Sequence, residues 1–260
     1  MSIPKMAFKK SEEKKELLEF EVLSIDSVQI AIHLALYESN IFCKIGIGEL
    51  IDTNWLKKME DKKEDKAPNV REFTRRFNVV SDWIRQEILK KEDLKKRAAV
   101  IEKFISVAEC CIEIGAFNTV MEVIAAFSSS PVFRLKKTWE AVQKSSITSF
   151  DEIKKIFNSE NNYTELREEM ESFKPPVLPY LGIYLTDLAF IYSNPEKIEG
   201  MINCRRLEQI ATIILLVGKM QQRPHSETFD ADPLLESLLS FERIKLMDNK
   251  EAISRSKELE

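Results

Sequence analysis

Only six glycines occur among 260 residues. Sheet-rich folds need many tight turns, so this scarcity favours long helices over strands. Cysteine is also scarce. Cys43, Cys110, Cys111 and Cys204 make neither a zinc spacing nor a redox pair. They read as buried thiols in a reducing compartment. No apolar run reaches membrane length: the longest, Val177 to Tyr192, is broken by Pro179 and Asp187, whereas a span needs roughly 20 residues. The amino terminus, MSIPKMAFKKSEEKKE, has no apolar centre of signal-peptide length. An excess of positive charge is missing too. With 39 basic and 43 acidic side chains the net charge is −4, and no basic stripe alternates with aromatics. Nothing here attracts nucleic acid.

Signatures of covalent catalysis are equally absent. The chain has no P-loop, no H-E-x-x-H and no G-x-S-x-G. Its two histidines, His33 and His225, lie far apart in sequence. His33 falls inside an apolar helical pattern and reads as a satisfied core or boundary residue rather than a base. Carboxylates are plentiful, but they sit in charge-mixed runs that single out no catalytic pair. No metal site and no cofactor is expected. What remains is a helical protein that works by contact with another macromolecule.

With 44% apolar and 32% charged residues, the chain can bury a substantial core and stay soluble. Residues 1–21 read as a charged lead-in and 22–260 as one domain. Asp26 suits the N-cap of DSVQIAIHLALYESNIFCKI, GELIDTNW reads as a turn and short helix, and the alternating charges of 57–69 as a solvated loop ending near Pro68. In VREFTRRFNVVSDWIRQEIL (70–89), Phe73, Phe77, Val80 and Ile84 share one helical face. KKEDLKKR reads as a linker. Beyond it Ile101, Phe104, Ile105, Ala108, Cys111 and Ile112 repeat at helical spacing, and Gly115 suits the C′ position. Asn118 is placed to cap TVMEVIAAF, which is apolar nearly all round and therefore central; Ser128-Ser129-Ser130-Pro131 ends it. Further helices are predicted over VFRLKKTWEAV, within 143–162, over YTELREEMESF as far as the Pro175-Pro176 break, and over 202–221. Asp232-Pro233 starts another. The sum is about ten helices, no convincing strand and no repeat, which is an all-α fold in a single irregular domain.

Three segments carry more than composition does: RRFNVVSDWI (75–84), GAFNTVMEVIAAFSSSPVFRLKKTWEAV (115–142) and PPVLPYLGIYLTDLAFI (175–191). In this order they resemble the catalytic domain of guanine-nucleotide exchange factors for Ras-family small GTPases, and INCRRLEQIATII fits the helix that follows. The likeness covers about residues 22–260. The amino-terminal helical module that often precedes this domain is absent, so the chain reads as a catalytic domain alone, either naturally or as a fragment. The resemblance implies that PYLGIYLTDLAFIYSNPE packs into the core and then starts a protruding helical hairpin. That hairpin wedges open the nucleotide site of a Ras-, Rap- or Ral-type GTPase, with no covalent bond broken. It further implies a monomer with no membrane span, cytoplasmic, recruited to the inner membrane face where such GTPases reside.

The same resemblance assigns individual residues. Tyr180 helps form the apolar pocket for a switch-region tyrosine of the GTPase, and Tyr163 is another aromatic near that interface. Arg75 aligns with an arginine on the GTPase-facing surface, and Ser128 stands where an asparagine is common. Arg134 holds the scaffold through buried hydrogen bonds, Asn118 is a cap, and Thr186 and Asp187 satisfy local backbone or neighbouring helices. Two departures concern the hairpin itself. Family members often carry a Glu-Gly-Asn turn whose glutamate lies where phosphate would sit. Here the stretch reads Ile191-Tyr192-Ser193-Asn194, with no carboxylate until Glu196. Tyr192 or Ser193 stands in the acidic place, and Ala189 falls where some members use leucine to crowd the magnesium site. The wedge then acts mainly through shape. The alternative is a degenerate domain that binds a GTPase or scaffold without promoting exchange.

Overall fold

Asp26 opens the first helix as its position predicts: its carboxylate accepts the Val28 amide at 2.8 Å. In the computed structural model, which describes residues 21–57, 65–241 and 244–260, thirteen α-helices follow one another. They are α1 (Ser27–Phe42), α2 (Ile47–Leu50), α3 (Pro68–Leu89), α4 (Leu94–Glu113), α5 (Phe117–Ser128), α6 (Ser130–Phe133), α7 (Lys136–Ala141), α8 (Lys144–Ile156), α9 (Thr164–Ser172), α10 (Leu181–Tyr192), α11 (Cys204–Met220), α12 (Pro233–Leu239) and α13 (Asn249–Leu259). All of the lead-in (1–21) but its last residue, and most of the charged loop, 58–64, lie outside the described residues.

Helices α1, α3, α4 and α5 pack on one another and form the centre. Trp83 is fully buried there, edge-on to Phe104 at 5.2 Å and tilted against Phe241 at 5.0 Å. Every residue from Gly115 to Val123 is buried, so α5 is the central helix that its all-round apolar pattern requires. Each large apolar side chain buried in this way contributes about 1.5–3 kcal/mol. Helix α13 packs across α3 and α6. Arg134 joins it to the body by donating to the Ser256 carbonyl at 2.8 Å, although its side chain is half-buried rather than buried.

Several local expectations are corrected. Asn118 is not a cap. It lies inside α5, whose N-cap is Ala116, and the Leu178 carbonyl, at 3.1 Å from the Asn118 amide, satisfies a first-turn amide that a side-chain cap would otherwise serve. Its side chain instead donates to Glu38 at 3.1 Å and Glu122 at 3.0 Å. The stretch KKEDLKKR is only half linker, since the Asp93 carboxylate accepts the Lys96 amide at 2.9 Å and starts α4. VFRLKKTWEAV is two helices, because the chain breaks so that Leu135 is fully buried and the Trp139 indole N–H donates to Val132 O at 3.1 Å. Of the four cysteines, Cys111 alone is buried; Cys43 and Cys110 are half-buried and Cys204 is exposed. One short antiparallel ribbon also exists, β1 (Lys197–Ile198) with β2 (Met201–Ile202), in register Lys197↔Ile202 and Ile198↔Met201. Its turn residues Glu199 (φ 52°) and Gly200 (φ 81°) are both left-handed, as a two-residue hairpin requires.

Gly115 does follow α4 with φ +73°, and a Cβ there would lie 2.6 Å from the Pro176 carbonyl oxygen. This close approach lets the Leu178 amide donate to Gly115 O at 2.8 Å and draws residues 176–180 onto the start of α5. His33 is buried and satisfied, as its apolar surroundings suggest: Nδ1 donates to Gln29 O at 2.7 Å, and Nε2 accepts the Asp232 amide at 2.7 Å.

His225 is buried as well, its Nε2–H donating to Ile114 O at 2.9 Å while Nδ1 has no partner. Burial holds its pKa down at about 4. The unfolded chain takes that proton near pH 6.5, the fold only near 4, so stability falls as the pH drops through this window. Urea unfolding of the wild type and of His225→Gln checks the size. Relative to the variant, wild type loses about 3 kcal/mol between pH 7 and pH 4.

Candidate functional site

The Leu178 bridge delivers Tyr180 to the N-cap position of α10 in extended geometry. Gly182 leaves room for its ring, since a Cβ there would lie 2.7 Å from the Tyr180 hydroxyl. The half-buried ring lies 5.9 Å from Phe77 and 6.1 Å from Tyr163. Burial pushes the Tyr180 phenol above its ordinary pKa. Three aromatics from three parts of the chain therefore make one cluster. Tyr163 reaches it from a turn in which Asn161, Asn162 and Tyr163 are all left-handed, at φ 51°, 56° and 59°.

The polar residues inside apolar α10 are accounted for. Thr186 Oγ1 donates to Gly182 O at 2.8 Å. Asp187 accepts from Asn162 Nδ2 at 3.2 Å and pairs with Arg167 Nη1 at 2.8 Å. Tyr184, one turn earlier, is buried, and burial pushes its hydroxyl far above the ordinary tyrosine range.

Beyond this root, α10 and α11 pack on each other as an antiparallel arm joined through the β1–β2 ribbon. Every residue from Ser193 to Ile202 is exposed. Ser193 caps α10, and its hydroxyl turns back to Phe190 O at 2.6 Å. Ala189 is half-buried, whereas Phe190 is 73% exposed. Arg206 stacks over the Tyr192 ring at 4.9 Å and lies 3.9 Å from Glu196. A cleft of about 440 Å³ separates this part of the arm from Ile51 and Asp52. The second root is Gln221, whose Nε2 donates to the carbonyls of Phe42 at 2.7 Å and Ile45 at 3.0 Å.

The structure thus brings Tyr163, Tyr180 and Asp187 together at one root and places Ala189, Tyr192 and Ser193 along the arm. It does not join Arg75 or Ser128 to the aromatic cluster. Arg75 is exposed on α3 and held by Glu72 at 2.6 Å, and exposed Ser128 ends α5. Phe77, Asn162, Arg167 and Gln221 are members that the sequence reading passed over. Phe77 was legible only as part of an apolar face; the other three left no local signal. Among the described residues no cluster of metal ligands forms, and no helix is long and apolar enough to cross a membrane.

Fold and surface define a class: a helical protein, with one two-residue-strand ribbon among its described residues, bearing a two-helix arm with an exposed tip and an aromatic cluster at its root. Residues 29–208 match the RasGEF domain, and the chain belongs to that family. Over 182 residues, 69% of this chain, it is 41% identical to Ras guanine nucleotide exchange factor E of Dictyostelium discoideum. Over 198 residues, 75% of the chain, it is 35% identical to human Ras-specific guanine nucleotide-releasing factor 1. Over 204 residues, 78% of the chain, it is 36% identical to mouse Ras-specific guanine nucleotide-releasing factor RalGPS1. These matches span 17%, 15% and 34% of the respective relatives.

Proposed function

We propose that this protein is a guanine-nucleotide exchange factor that promotes GDP release from a Ras-family small GTPase of Ras, Rap or Ral type. The observation that carries the reading is the arm itself. Its tip is exposed from Ser193 to Ile202, and its root bears the Phe77–Tyr163–Tyr180 cluster. The cluster grips an apolar side chain of the switch region while the arm displaces the elements that close over the nucleotide. The active unit is taken as residues 22–260, acting as a monomer at the cytoplasmic face of a membrane. No covalent bond changes. The exchange factor prefers the emptied GTPase, so factor and nucleotide weaken each other's binding by the same factor. Each tenfold of acceleration requires about 1.4 kcal/mol of preference for the opened state.

The arm works by shape in this reading. Tyr192 or Ser193 stands in the place of a family glutamate; neither is a carboxylate, and the Ser193 hydroxyl is turned inward to Phe190. The next carboxylate, Glu196, faces Arg206. The same lack of an acidic group supports a second reading, binding without exchange. A release assay separates the two. Ras, Rap and Ral proteins are loaded with a fluorescent GDP analogue and chased with unlabelled nucleotide. Acceleration of one of them supports exchange; measurable binding with no acceleration of any supports the second reading. If phosphate expulsion limits the rate, Ser193→Glu should raise it about tenfold, the worth of one charge-assisted hydrogen bond. An unchanged rate would remove charge from the mechanism.

A further inference from the structure

Among the described residues, the arm is tied to the body by polar contacts at two places only. At the far end Gln221 holds the carbonyls of Phe42 and Ile45. At the near end three residues close a ring. Arg167 Nη1 pairs with Asp187 Oδ2 at 2.8 Å, Arg167 Nε donates to the Asn162 carbonyl at 2.8 Å, and Asn162 Nδ2 donates to Asp187 Oδ1 at 3.2 Å. Past Asp187, the side-chain bonds of Ser193, Glu196, Asn203, Arg206 and Thr212 all stay within the arm.

The ring also holds an unfavourable backbone. Left-handed geometry is rare for residues with a side chain, and it persists only where the surroundings over-determine it. Here three such residues stand in a row, 161–163. Arg167 fixes the middle one through its carbonyl, and Asp187 fixes it through its side chain. Tyr163 is the next residue and meets Tyr180 at 6.1 Å. One turn therefore sets both the aromatic cluster and the angle at which α10 leaves the body. The ring is not needed for the core. Leu181, Ile183, Tyr184 and Leu188 are buried on the same helix, and they keep α10 in place without it.

We propose that Asn162, Arg167 and Asp187 form a positioning latch that couples the aromatic cluster to the arm. None of the three is a catalytic residue, and the inference rests on the exchange reading above. A partner pressed onto Tyr163 and Tyr180 loads the arm through this latch; with the latch open the partner still docks, but the arm yields instead of pushing.

Two measurements on Asp187→Ala and on the charge-swapped pair Arg167→Asp with Asp187→Arg test this. The first is hydrogen–deuterium exchange of the protein alone. In Asp187→Ala, amides of 161–167 and 186–203 should exchange at least about fivefold faster while α4 and α5 keep wild-type protection. The second is GDP-analogue release as a function of exchange-factor concentration. The maximal rate should fall about tenfold, with the half-saturating concentration changed less than about twofold. The charge swap should recover part of both effects. Wild-type exchange of 186–203, or faster exchange throughout the fold, would overturn the latch, as would a raised half-saturating concentration at an unchanged maximal rate. If the wild-type protein accelerates release from no GTPase, the exchange reading fails, and the hydrogen-exchange arm alone then decides whether the latch holds the arm.

Discussion

Tyr180→Ala should abolish detectable exchange while the protein still folds. Tyr180 is the middle ring of the cluster, within 5.9 Å of Phe77 and 6.1 Å of Tyr163. Each aromatic pair adds about 0.5–1.5 kcal/mol beyond its buried area, so losing two costs the fold about 1–3 kcal/mol. That is survivable, because the ring is only half-buried and the helix it caps is anchored by buried Leu181, Ile183, Tyr184 and Leu188. The partner loses more. Removing a central aromatic anchor from a desolvated contact typically costs 2 kcal/mol or more, up to about 4, which is roughly 30- to 1000-fold in affinity. Titrating the variant against nucleotide-free GTPase measures this, and a thermal melt controls for folding. Wild-type affinity would remove Tyr180 from the interface and with it the pocket on which the docking geometry depends.

Sequence reading is most specific where a motif is long. Tyr180 lies in one long enough to be matched as a whole, and its proposed docking role rests on that resemblance. The capping carboxylates Asp26 and Asp232 and the turn residue Gly115 were legible because their causes are local: a free amide two or three residues on, or a positive φ. Asn118 was misread for the complementary reason. It has cap chemistry at a cap-like place, but the N-cap falls two residues earlier, at Ala116. The Leu178 carbonyl, sixty residues downstream of Asn118, satisfies a first-turn amide, and the Asn118 side chain is drawn to Glu38 and Glu122. Arg167 and Asp187 were invisible as a pair because no periodicity links two helices across a proline break. The ribbon at the tip escaped notice because two-residue strands carry no alternation to detect. Local chemistry was readable; pairings between distant segments were not.

Arg75 and Arg76 sharpen that point, and the second of them carries the largest expected effect on stability. Two adjacent arginines look equivalent in sequence, and Arg75 was assigned the functional role. The structure leaves Arg75 in solvent and buries Arg76, 1% exposed, inside the core. Its guanidinium donates to Leu239 O at 2.7 Å and Ser240 O at 3.2 Å and lies over the rings of Tyr37 at 4.1 Å and Phe241 at 4.5 Å. It is also the cation that offsets Glu38 and Glu122, two buried carboxyls whose pKa values burial raises; the charge on Glu38 pushes Glu122 further up. Arg76→Met keeps most of the volume and the apolar stem, so little of its cost comes from a cavity. What it loses is the charge and two carbonyl partners. Two hydrogen bonds from a charged donor are worth about 1.5–3 kcal/mol each, so the loss comes to about 3–5 kcal/mol. Urea unfolding at pH 7 should show that loss in Arg76→Met, and adding Glu38→Gln should restore part of it, since the second change removes one of the two buried carboxyls that Arg76 offsets. A single variant as stable as wild type would mean that Glu38 is compensated elsewhere. Because α3 carries Phe77 one residue further on, a fold weakened at Arg76 also loosens one wall of the aromatic cluster. Exchange should therefore fall together with stability in Arg76→Met, whereas Tyr180→Ala loses exchange while the fold remains.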